Sequence, residues 1–294
     1  MSPLLAAPFY DRPHASSRIA LLLTAWAVVW LLLGAGLAFI LQDDPPHPPR
    51  RLTTPPALRS FEQIYHDYSY REGFDHYFEY ARAYDDNLSS LRSRILSQGG
   101  EVNMLEIGVQ SGGSINVWTE FFDGKLRYTG IDINQRCARF TRPDLRRVVE
   151  IGSQSDPAFL TSVCRRHGPF DVVVDDGSHL TAHILTSLRH LWSCLNDKAV
   201  YAIEDLHSMT LFRGVKGMAV DGEDFYDVLG DIARNMSSYF TQMPRPLRRS
   251  FPPSDSFSGH IQEIRLYDSL AFFHYNSSTM PQTQRFKKGK KWFR

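Results

Sequence analysis

The stretch Met104-Leu-Glu-Ile-Gly-Val-Gln-Ser-Gly-Gly113 decides the fold, because an apolar run leads directly into a turn rich in glycine. A buried strand followed by such a turn and a helix is typical of open α/β sheets, whose ligands bind beyond the carboxyl ends of the strands. The turn is not the dinucleotide fingerprint GxGxxG, because Gln110 stands where the second glycine is needed. We therefore expect Gly108, Ser111 and Gly112 to form a cofactor cradle that is not shaped for a pyrophosphate. The alternative is a glycine turn that serves packing alone.

Strand-like runs alternate with helical patterns downstream of this turn. The predicted strands are Asn103–Ile107, Tyr128–Ile131, Val148–Ile151, Asp171–Val174 and Val200–Ile203. Short buried strands that alternate with helices predict an α/β fold with a parallel, doubly wound sheet. The runs Ile261–Tyr267 and Leu270–Tyr275 are separated by two residues, which predicts a hairpin whose last strand is antiparallel. Upstream, apolar residues recur every three or four positions from Ser60 to Gln98, which predicts a helix.

The composition is that of a globular protein. The 294 residues include 33 Lys and Arg against 32 Asp and Glu, and 43% of them are hydrophobic. Nucleic-acid-binding proteins normally carry a strong basic excess, so no nucleic-acid partner is predicted. The three cysteines show no CxxC spacing for zinc, and one pair of them can form a disulfide in an oxidising compartment. The sequence does not say which pair, and a homo-oligomer is compatible with it.

The N-terminal region predicts a membrane anchor. Residues 19–41 carry no charge and as a helix would reach about 34 Å, enough to cross a bilayer. We interpret residues 1–18 as a cytoplasmic tail, 19–41 as a transmembrane signal anchor and 42–59 as a proline-rich stalk. A signal peptide cleaved near Gly36-Leu37-Ala38 is the alternative. Residues 60–275 then form one domain, and residues 276–294 form a basic tail.

Three sequons, at Asn87, Asn235 and Asn276, favour a glycoprotein in a lumenal compartment. Unused coincidental triplets are the alternative reading of this pattern. With the anchor, the sequons predict a single-pass type II membrane protein that faces the lumen of the Golgi or endoplasmic reticulum.

Carboxylates at the ends of the first two strands indicate the cofactor. Asp132 ends the second strand, where a carboxylate can accept both hydroxyls of a ribose. Glu106 ends the first strand and suits a cationic amino group better than a phosphate. A ligand with a ribose, an ammonium group and no phosphate describes S-adenosylmethionine, which is the predicted cofactor.

Two acidic motifs follow the fourth and fifth strands. Val174-Asp-Asp-Gly-Ser-His179 and Ile203-Glu-Asp-Leu-His207 would meet at one edge of the sheet if these strands are neighbours. Carboxylates massed there repel one another unless a cation neutralises them, and an all-oxygen site suits Mg²⁺. The predicted ligands are Asp176, Glu204 and Asp205, with His179 beside them as proton acceptor. The alternative for each aspartate is a helix cap or turn, and His183 and His207 are either substrate contacts or packing histidines.

The motifs together resemble a known family. Leu105-Glu-Ile-Gly-Val, Gly130-Ile-Asp-Ile, Gln154-Ser-Asp-Pro157 and the two acidic motifs resemble the metal-dependent sugar O-methyltransferases of macrolide (mycinamicin-type) and rhamnosyl-tetracenomycin biosynthesis and the related cephalosporin hydroxylase-like proteins. The resemblance runs from about residue 75 to residue 275. It implies the Rossmann-like fold of class I S-adenosylmethionine-dependent methyltransferases, Mg²⁺ bound by the three carboxylates, and His179 as general base. It also implies cofactor contacts from Gln154, Ser155 and Asp156, and we add Asp175 as a further candidate.

The predicted function is therefore O-methylation of a sugar or glycan hydroxyl, dependent on S-adenosylmethionine and Mg²⁺. The acceptor would be a glycan or a glycosylated small molecule, and the N-terminal helix would attach the enzyme to a membrane. The alternatives are a lumenal metal-dependent glycosyltransferase, a cephalosporin hydroxylase-like enzyme acting on a small molecule, and a non-catalytic binding module. Residues 208–226, marked by glycines, are predicted to be a lid over the acceptor, and residues 243–253 to border it.

Overall fold

The computed structural model describes residues 58–236 and 257–278. The predicted cytoplasmic tail, the anchor, nearly all of the stalk, the segment 243–253 and the basic tail beyond residue 278 lie outside the described residues. Within the described ranges, the structure contains no helix whose length and apolar character would let it cross a membrane.

A seven-stranded sheet forms the centre of the described chain, in the order β3-β2-β1-β4-β5-β7-β6. Its strands are β1 (Val102–Ile107), β2 (Leu126–Asp132), β3 (Arg147–Ile151), β4 (Phe170–Asp175), β5 (Leu195–Ile203), β6 (Ile261–Tyr267) and β7 (Leu270–Tyr275). Strands β1 to β5 are parallel, whereas β7 is antiparallel to both β5 and β6. This confirms the predicted parallel sheet and its terminal hairpin.

Helices cover both faces of the sheet. They are α1 (Phe61–His66), α2 (Phe78–Ser97), α3 (Gly113–Phe121), α4 (Pro157–His167), α5 (Thr181–Leu191), α6 (Ser208–Leu211) and α7 (Phe225–Met236), with short 3₁₀ helices at Gln135–Phe140, Pro143–Leu145, Trp192–Cys194 and Ser258–His260. Strand β4 shows how one strand serves two apolar layers: Val172 and Val174 pack with α1, α2 and α3, and Val173 packs with α4, α5 and α7. A strand buried on both faces explains the continuous apolar runs in the sequence.

The predicted helix from Ser60 to Gln98 is wrong in its middle, where the structure has two helices joined by a non-helical segment. A capping box between Ser60 and Gln63 starts α1, which ends at His66. Residues 67–77 then turn across the start of α3, with the ring of Phe74 packed against Tyr65 and Tyr68 at centroid distances of 4.8 and 5.1 Å. These tertiary contacts override the helical periodicity and bring residue 76 to the carboxyl edge of the sheet.

The disulfide left open by the sequence joins Cys164 of α4 to Cys194, just before β5, and their Cα atoms are 5.9 Å apart. Cys137 is a free, buried thiol.

Two of the three sequon asparagines are inside the protein. Asn87 and Asn235 are only 3% and 4% exposed. The Nδ2 of Asn87 donates to the carbonyl of Ala83 at 2.6 Å, and its Oδ1 lies 2.8 Å from Nε2 of His274. Neither side chain has room for a glycan in the fold, so the prediction of glycosylation at these two positions is wrong.

Candidate active site

The glycine turn after β1 brings two strand ends into close contact. Gly108 has a φ of +98°, and a Cβ at this position would lie 2.1 Å from the carbonyl oxygen of Asp176. Only glycine therefore allows this approach. The Oδ2 of Asp132 accepts hydrogen bonds from the backbone N–H groups of Val109 and Gln110, at 3.0 and 2.9 Å, and so holds the turn against β2.

A cavity of about 460 Å³ opens at the carboxyl ends of β1, β2, β4 and β5. The predicted site residues that line it are Gly108, Asp132, Gln154, Asp176, His179, Glu204 and Asp205. The proposed cofactor turn and both acidic motifs therefore border a single cavity.

The Glu106 side chain does not line this cavity. It is 1% exposed, and its carboxylate accepts hydrogen bonds from Trp118 Nε1 at 2.7 Å, from Ser114 Oγ at 3.0 Å and from the hydroxyl of Tyr128. Burial raises the pKa of Glu106, against the lowering effect of these three donors. The structure therefore gives Glu106 a packing role between β1, β2 and α3 in place of the predicted cofactor contact.

The Asp175 side chain is also turned away from the cavity. It accepts hydrogen bonds from Gln154 Nε2 at 2.9 Å and from the hydroxyl of Ser187. Through this contact Asp175 orients Gln154, whose Oε1 accepts the N–H of Ser178 at 2.7 Å. The predicted cofactor contact of Asp175 is corrected to an indirect role in shaping the turn after β4.

Four further predicted cofactor residues serve local structure and do not line the cavity. Gly112 begins α3 with a φ of +78°, and a Cβ there would meet the Phe140 ring at 2.6 Å. Ser111, before it in the same turn, packs beside Gly73. Asp156 caps α4 by accepting the N–H of Ala158 at 2.9 Å, and the Ser155 hydroxyl bonds that of Ser153 at 2.8 Å.

The acidic motifs meet because β4 and β5 are paired neighbours, with Asp175 opposite Ile203. Tyr84 donates its hydroxyl proton to Glu204, and Tyr80 donates to Oδ1 of Asp205 at 2.7 Å. Burial, together with the negative charges of Glu204 and Asp205, raises the pKa of Asp176 well above its usual value. Burial likewise raises the pKa of Glu204 to about 8. Burial is the larger cause of both shifts and repulsion between neighbouring carboxylates is the smaller one, so Asp176 and Glu204 are difficult to ionise together without a cation.

Two histidines join the three carboxylates. His179 Nε2 lies 3.8 Å from Oδ2 of Asp205, and His76 Nε2 lies 3.8 Å from Oε2 of Glu204. The potential ligand atoms form two groups, and within each group all of the atoms lie within 4.8 Å of one another. The groups are His76–Asp176–Glu204 and Asp176–His179–Asp205. The predicted set of three carboxylates is thus divided between two groups that share Asp176. This set of oxygen and imidazole donors, with its crowded negative charge, fits a divalent cation.

Sequence reasoning missed His76, because this residue lies within the helix predicted from Ser60 to Gln98 and far from both acidic motifs. The available signal was Gly73, three residues earlier, which interrupts that helical pattern.

Both acidic motifs hold a non-glycine residue in the left-handed backbone region. The φ angle is +56° at His179 and +57° at Asp205. Such conformations are uncommon outside glycine, although His and Asp adopt them more readily than most residues. Within the described part of the chain, Nδ1 of His179 is buried without a hydrogen-bond partner.

The remaining predicted elements lie around this centre. His183 lines the cavity with Nδ1 2.7 Å from the Ser178 hydroxyl, whereas the His207 ring bonds Ser269 Oγ at 2.6 Å outside it. The predicted lid, residues 208–226, does not line the cavity and lies beside α5, where the Ala182 N–H donates to the carbonyl of Gly217 at 3.0 Å. Its function as a lid stays a prediction.

Comparison with known proteins tests the resemblance. Residues 105–206 match the family model described as a methyltransferase domain. Over 203 residues the chain is 35% identical to 8-demethyl-8-alpha-L-rhamnosyl tetracenomycin-C 2'-O-methyltransferase of Streptomyces olivaceus, covering 66% of this chain and 49% of that protein. The predicted resemblance is confirmed. Over 180 residues the chain is also 33% identical to demethylmacrocin O-methyltransferase of Streptomyces fradiae, covering 58% and 44% of the two chains. The chain spans about half the length of the curated relatives it matches.

A solved structure supports the fold. The mycinamycin-pathway methyltransferase MycE, in complex with Mg and S-adenosylhomocysteine, superposes with a TM-score of 0.58 at 27% identity, covering 74% of this chain and 55% of that one. The class I methyltransferase fold is therefore confirmed for the described domain. The ligands of MycE match the two predicted cofactors, because S-adenosylhomocysteine is the product that S-adenosylmethionine leaves after methyl transfer.

The predicted localisation, a single-pass type II membrane protein facing the Golgi or endoplasmic reticulum lumen, is wrong. The matched relatives come from Streptomyces and Micromonospora, which are bacteria and have neither compartment. The pattern behind the prediction also loses support, since two of its three sequons are buried asparagines.

Proposed function

We propose that this chain is an O-methyltransferase that uses S-adenosylmethionine and Mg²⁺ to methylate a sugar hydroxyl of a glycosylated acceptor. The observation that carries the proposal is the shared cavity, where three carboxylates and His179 face the turn formed by Gly108 and Asp132. The names of the matched relatives, which act on sugar groups of macrolides and tetracenomycins, support the acceptor class.

The carboxyl ends of β4 and β5 supply the cation site. Asp176, Glu204 and Asp205 would hold Mg²⁺, since they border one cavity and offer carboxylate oxygens, the ligands that this ion prefers. When bound, Mg²⁺ lowers the pKa of an acceptor hydroxyl and S-adenosylmethionine supplies an electrophilic methyl group.

The carboxyl ends of β1 and β2 supply the cofactor site. Asp132 uses Oδ2 for two backbone N–H groups and Oδ1 for the N–H of Asn134 at 2.7 Å, which fixes its orientation. A carboxylate has about four acceptor positions and three of them are used, so Asp132 retains one for a ribose hydroxyl. Ile133 lines the same cavity and is 75% exposed, and it offers an apolar surface to an adenine ring.

His179 is the proposed general base. Its imidazole would accept the hydroxyl proton as the methyl group transfers, a contribution of roughly 10²–10⁴-fold in rate. The Oδ2 of Asp205, 3.8 Å from Nε2, favours the positive charge that then forms on the ring. Tyr80 donates to the other oxygen of Asp205 and so keeps that carboxylate in place.

The decisive experiment is transfer of a tritiated methyl group from S-adenosylmethionine to a panel of acceptors: demethylmacrocin, mycinamicin VI and rhamnosylated demethyl-tetracenomycin C. We expect labelled product with Mg²⁺ and none after EDTA treatment, with activity restored by added Mg²⁺. Isothermal titration with S-adenosylmethionine and with nucleotide sugars distinguishes a methyltransferase from the alternative, a glycosyltransferase. Binding of nucleotide sugars without binding of S-adenosylmethionine would refute the proposal.

A further inference from the structure

His76 reaches the acidic centre from the segment 67–77, far in sequence from both acidic motifs. Its side chain is 8% exposed, and Nε2 lies 3.9 Å from Oδ2 of Asp176 and 3.8 Å from Oε2 of Glu204. Both distances exceed that of a hydrogen bond, so the nitrogen faces two carboxylates without bonding either. The fold therefore buries an imidazole nitrogen next to two carboxylates without a hydrogen bond to either of them, and this arrangement requires an explanation.

The ring of His76 is held in one orientation. The hydroxyl of Tyr65 lies 3.0 Å from Nδ1, and Phe74 packs against the ring at a centroid distance of 4.6 Å. Nδ1 is therefore occupied on the protein side, and Nε2 is directed at the carboxylates. Histidines that bind metals commonly show this arrangement, with the second ring nitrogen bonded to a neighbouring group that fixes the tautomer.

We propose that Nε2 of His76 is a nitrogen ligand of the divalent cation, together with Asp176 and Glu204, and that Tyr65 accepts the proton on Nδ1. This inference rests on the proposed function, because it assigns a ligand to the same cation. An octahedral ion with ligands at about 2.1 Å keeps ligand atoms about 3 Å apart when adjacent and about 4 Å apart when opposite. Because only one ligand can lie opposite another, the separations of 3.8 and 3.9 Å mean that at least one of the two oxygens must move closer to Nε2 when an ion binds.

Two observations favour His76 over His179 as the imidazole that binds the ion. The side chains of His76 and Glu204 are 8% and 1% exposed, against 24% and 27% for His179 and Asp205. His76 also has a partner for Nδ1, whereas the Nδ1 of His179 is buried without one among the described residues. The two imidazoles then have separate tasks, because His76 binds the ion and His179 stays free to accept a proton.

The test uses the full chain loaded with Mn²⁺, a paramagnetic ion that binds both carboxylate oxygens and imidazole nitrogens. Pulsed electron paramagnetic resonance detects ¹⁴N nuclei bonded to Mn²⁺. We expect the ¹⁴N signal in the wild type, in His179→Gln and in the matched control His183→Gln, and its loss in His76→Gln. Circular dichroism and binding of S-adenosylhomocysteine verify that His76→Gln is folded.

The possible outcomes distinguish this inference from the proposed function. A signal lost in His179→Gln but kept in His76→Gln would overturn the inference and assign the ion to the other group. Bound Mn²⁺ without any ¹⁴N signal in the wild type would also overturn it, while leaving a metal-dependent methyltransferase intact. Failure of the wild type to bind either Mn²⁺ or Mg²⁺ would refute the metal dependence itself.

The role of Tyr65 is tested separately by Tyr65→Phe. Loss of a hydrogen-bond partner to a metal-binding histidine typically costs about 10–100-fold in metal affinity. We expect a rise of this size in the dissociation constant for Mn²⁺, with the ¹⁴N signal retained at saturation. The control is Tyr68→Phe, which removes a hydroxyl bonded to the carbonyl of Glu72 at 2.6 Å. Equal affinities for wild type and Tyr65→Phe would exclude the proposed contribution of Tyr65.

Discussion

At the scale of single residues, Asp176 is central to the proposed cation site, because both candidate ligand groups include it. Its pKa is raised by burial and by two neighbouring carboxylates, so the metal-free protein is destabilised by keeping it ionised. The same charge is what would attract a cation. One substitution should therefore change stability in opposite directions with and without metal.

We predict that Asp176→Asn raises the melting temperature of the metal-free protein and greatly reduces the stabilisation that Mg²⁺ gives. The amide removes a repelling charge but is a much weaker ligand. Thermal unfolding in EDTA and in excess Mg²⁺ measures both effects. Asp221→Asn, an exposed aspartate outside the cavity, is the control and should change neither value. A lower melting temperature for Asp176→Asn in EDTA would contradict the prediction.

The second residue-scale prediction concerns His179. His179→Ala should abolish nearly all methyl transfer, because His179 lines the cavity beside Asp205, whereas His207, 4.0 Å from Oδ1 of Asp205, does not line it. The affinity for S-adenosylmethionine, measured by isothermal titration, should be retained, since the proposed cofactor contacts lie at β1 and β2. Turnover within threefold of the wild type would remove His179 from the mechanism.

At the scale of elements, the junction of β1 and β4 depends on one missing side chain. Gly108→Ala would place a Cβ 2.1 Å from a backbone carbonyl, whereas Gly124→Ala meets nothing within 4 Å. Both glycines have positive φ, at +98° and +69°. Because both variants place an alanine at positive φ, the difference in stability between them measures the effect of the steric overlap alone.

We expect Gly124→Ala to cost about 1 kcal/mol, the usual price of an alanine at positive φ. Gly108→Ala should cost at least about 2 kcal/mol more, because strand ends must also separate. Urea unfolding measures the free energy of unfolding of both variants. Equal decreases for Gly108→Ala and Gly124→Ala would contradict the prediction, because they would mean that β1 and β4 separate without loss of stability. Binding of S-adenosylmethionine should weaken in Gly108→Ala alone.

The hairpin of β6 and β7 supplies a pH-dependent contact with α2. Burial, together with the positive charge of Arg265, lowers the pKa of His274, and Glu263 partly opposes this. The neutral ring bonds Asn87 Oδ1 at 2.8 Å. A histidine with a lowered folded-state pKa stabilises the protein above its unfolded value of about 6.5, and this contribution is lost as the pH falls.

We therefore expect the free energy of unfolding to decrease between pH 7.5 and pH 5.5, and His274→Gln to reduce that decrease. Urea unfolding at the two pH values gives the comparison. The exposed His66, with 83% of its side chain accessible, provides the control His66→Gln, which should leave the difference unchanged. An unaltered pH dependence in His274→Gln would assign the effect to other groups.

At the scale of the whole molecule, the sequence predicted the sheet well because buried strands are continuous apolar runs with a glycine turn between strand and helix. The sequence also predicted that the two acidic motifs lie close together, which follows from the pairing of β4 with β5. It failed where tertiary contacts outweigh local pattern: the aromatic packing of Phe74 breaks the predicted helix, and only the fold shows that Glu106 and Asp175 point away from the cavity.

The disulfide closes a loop across the centre of the sheet, because Cys164 and Cys194 are 30 residues apart and the loop between them contains β4 and α5. Closing a loop of this length stabilises a protein by about 3–4 kcal/mol in the chain-entropy description. Urea unfolding with and without a reducing agent should show a loss of this order. The variant Cys164→Ala/Cys194→Ala should show no further effect of the reductant, and a protein indifferent to reduction would argue against the bond.

The segment 67–77 and helix α2 have a consequence for how such enzymes diversify. Tyr80, Tyr84 and His76 reach Asp205, Glu204 and Asp176 from a part of the chain that precedes the first strand of the sheet. An exchange of the preceding helices between relatives would leave every strand intact and yet alter the surroundings of each carboxylate. Recombination upstream of the sheet would thus change the groups that contact the three carboxylates, while the strands that position these carboxylates stay unmutated.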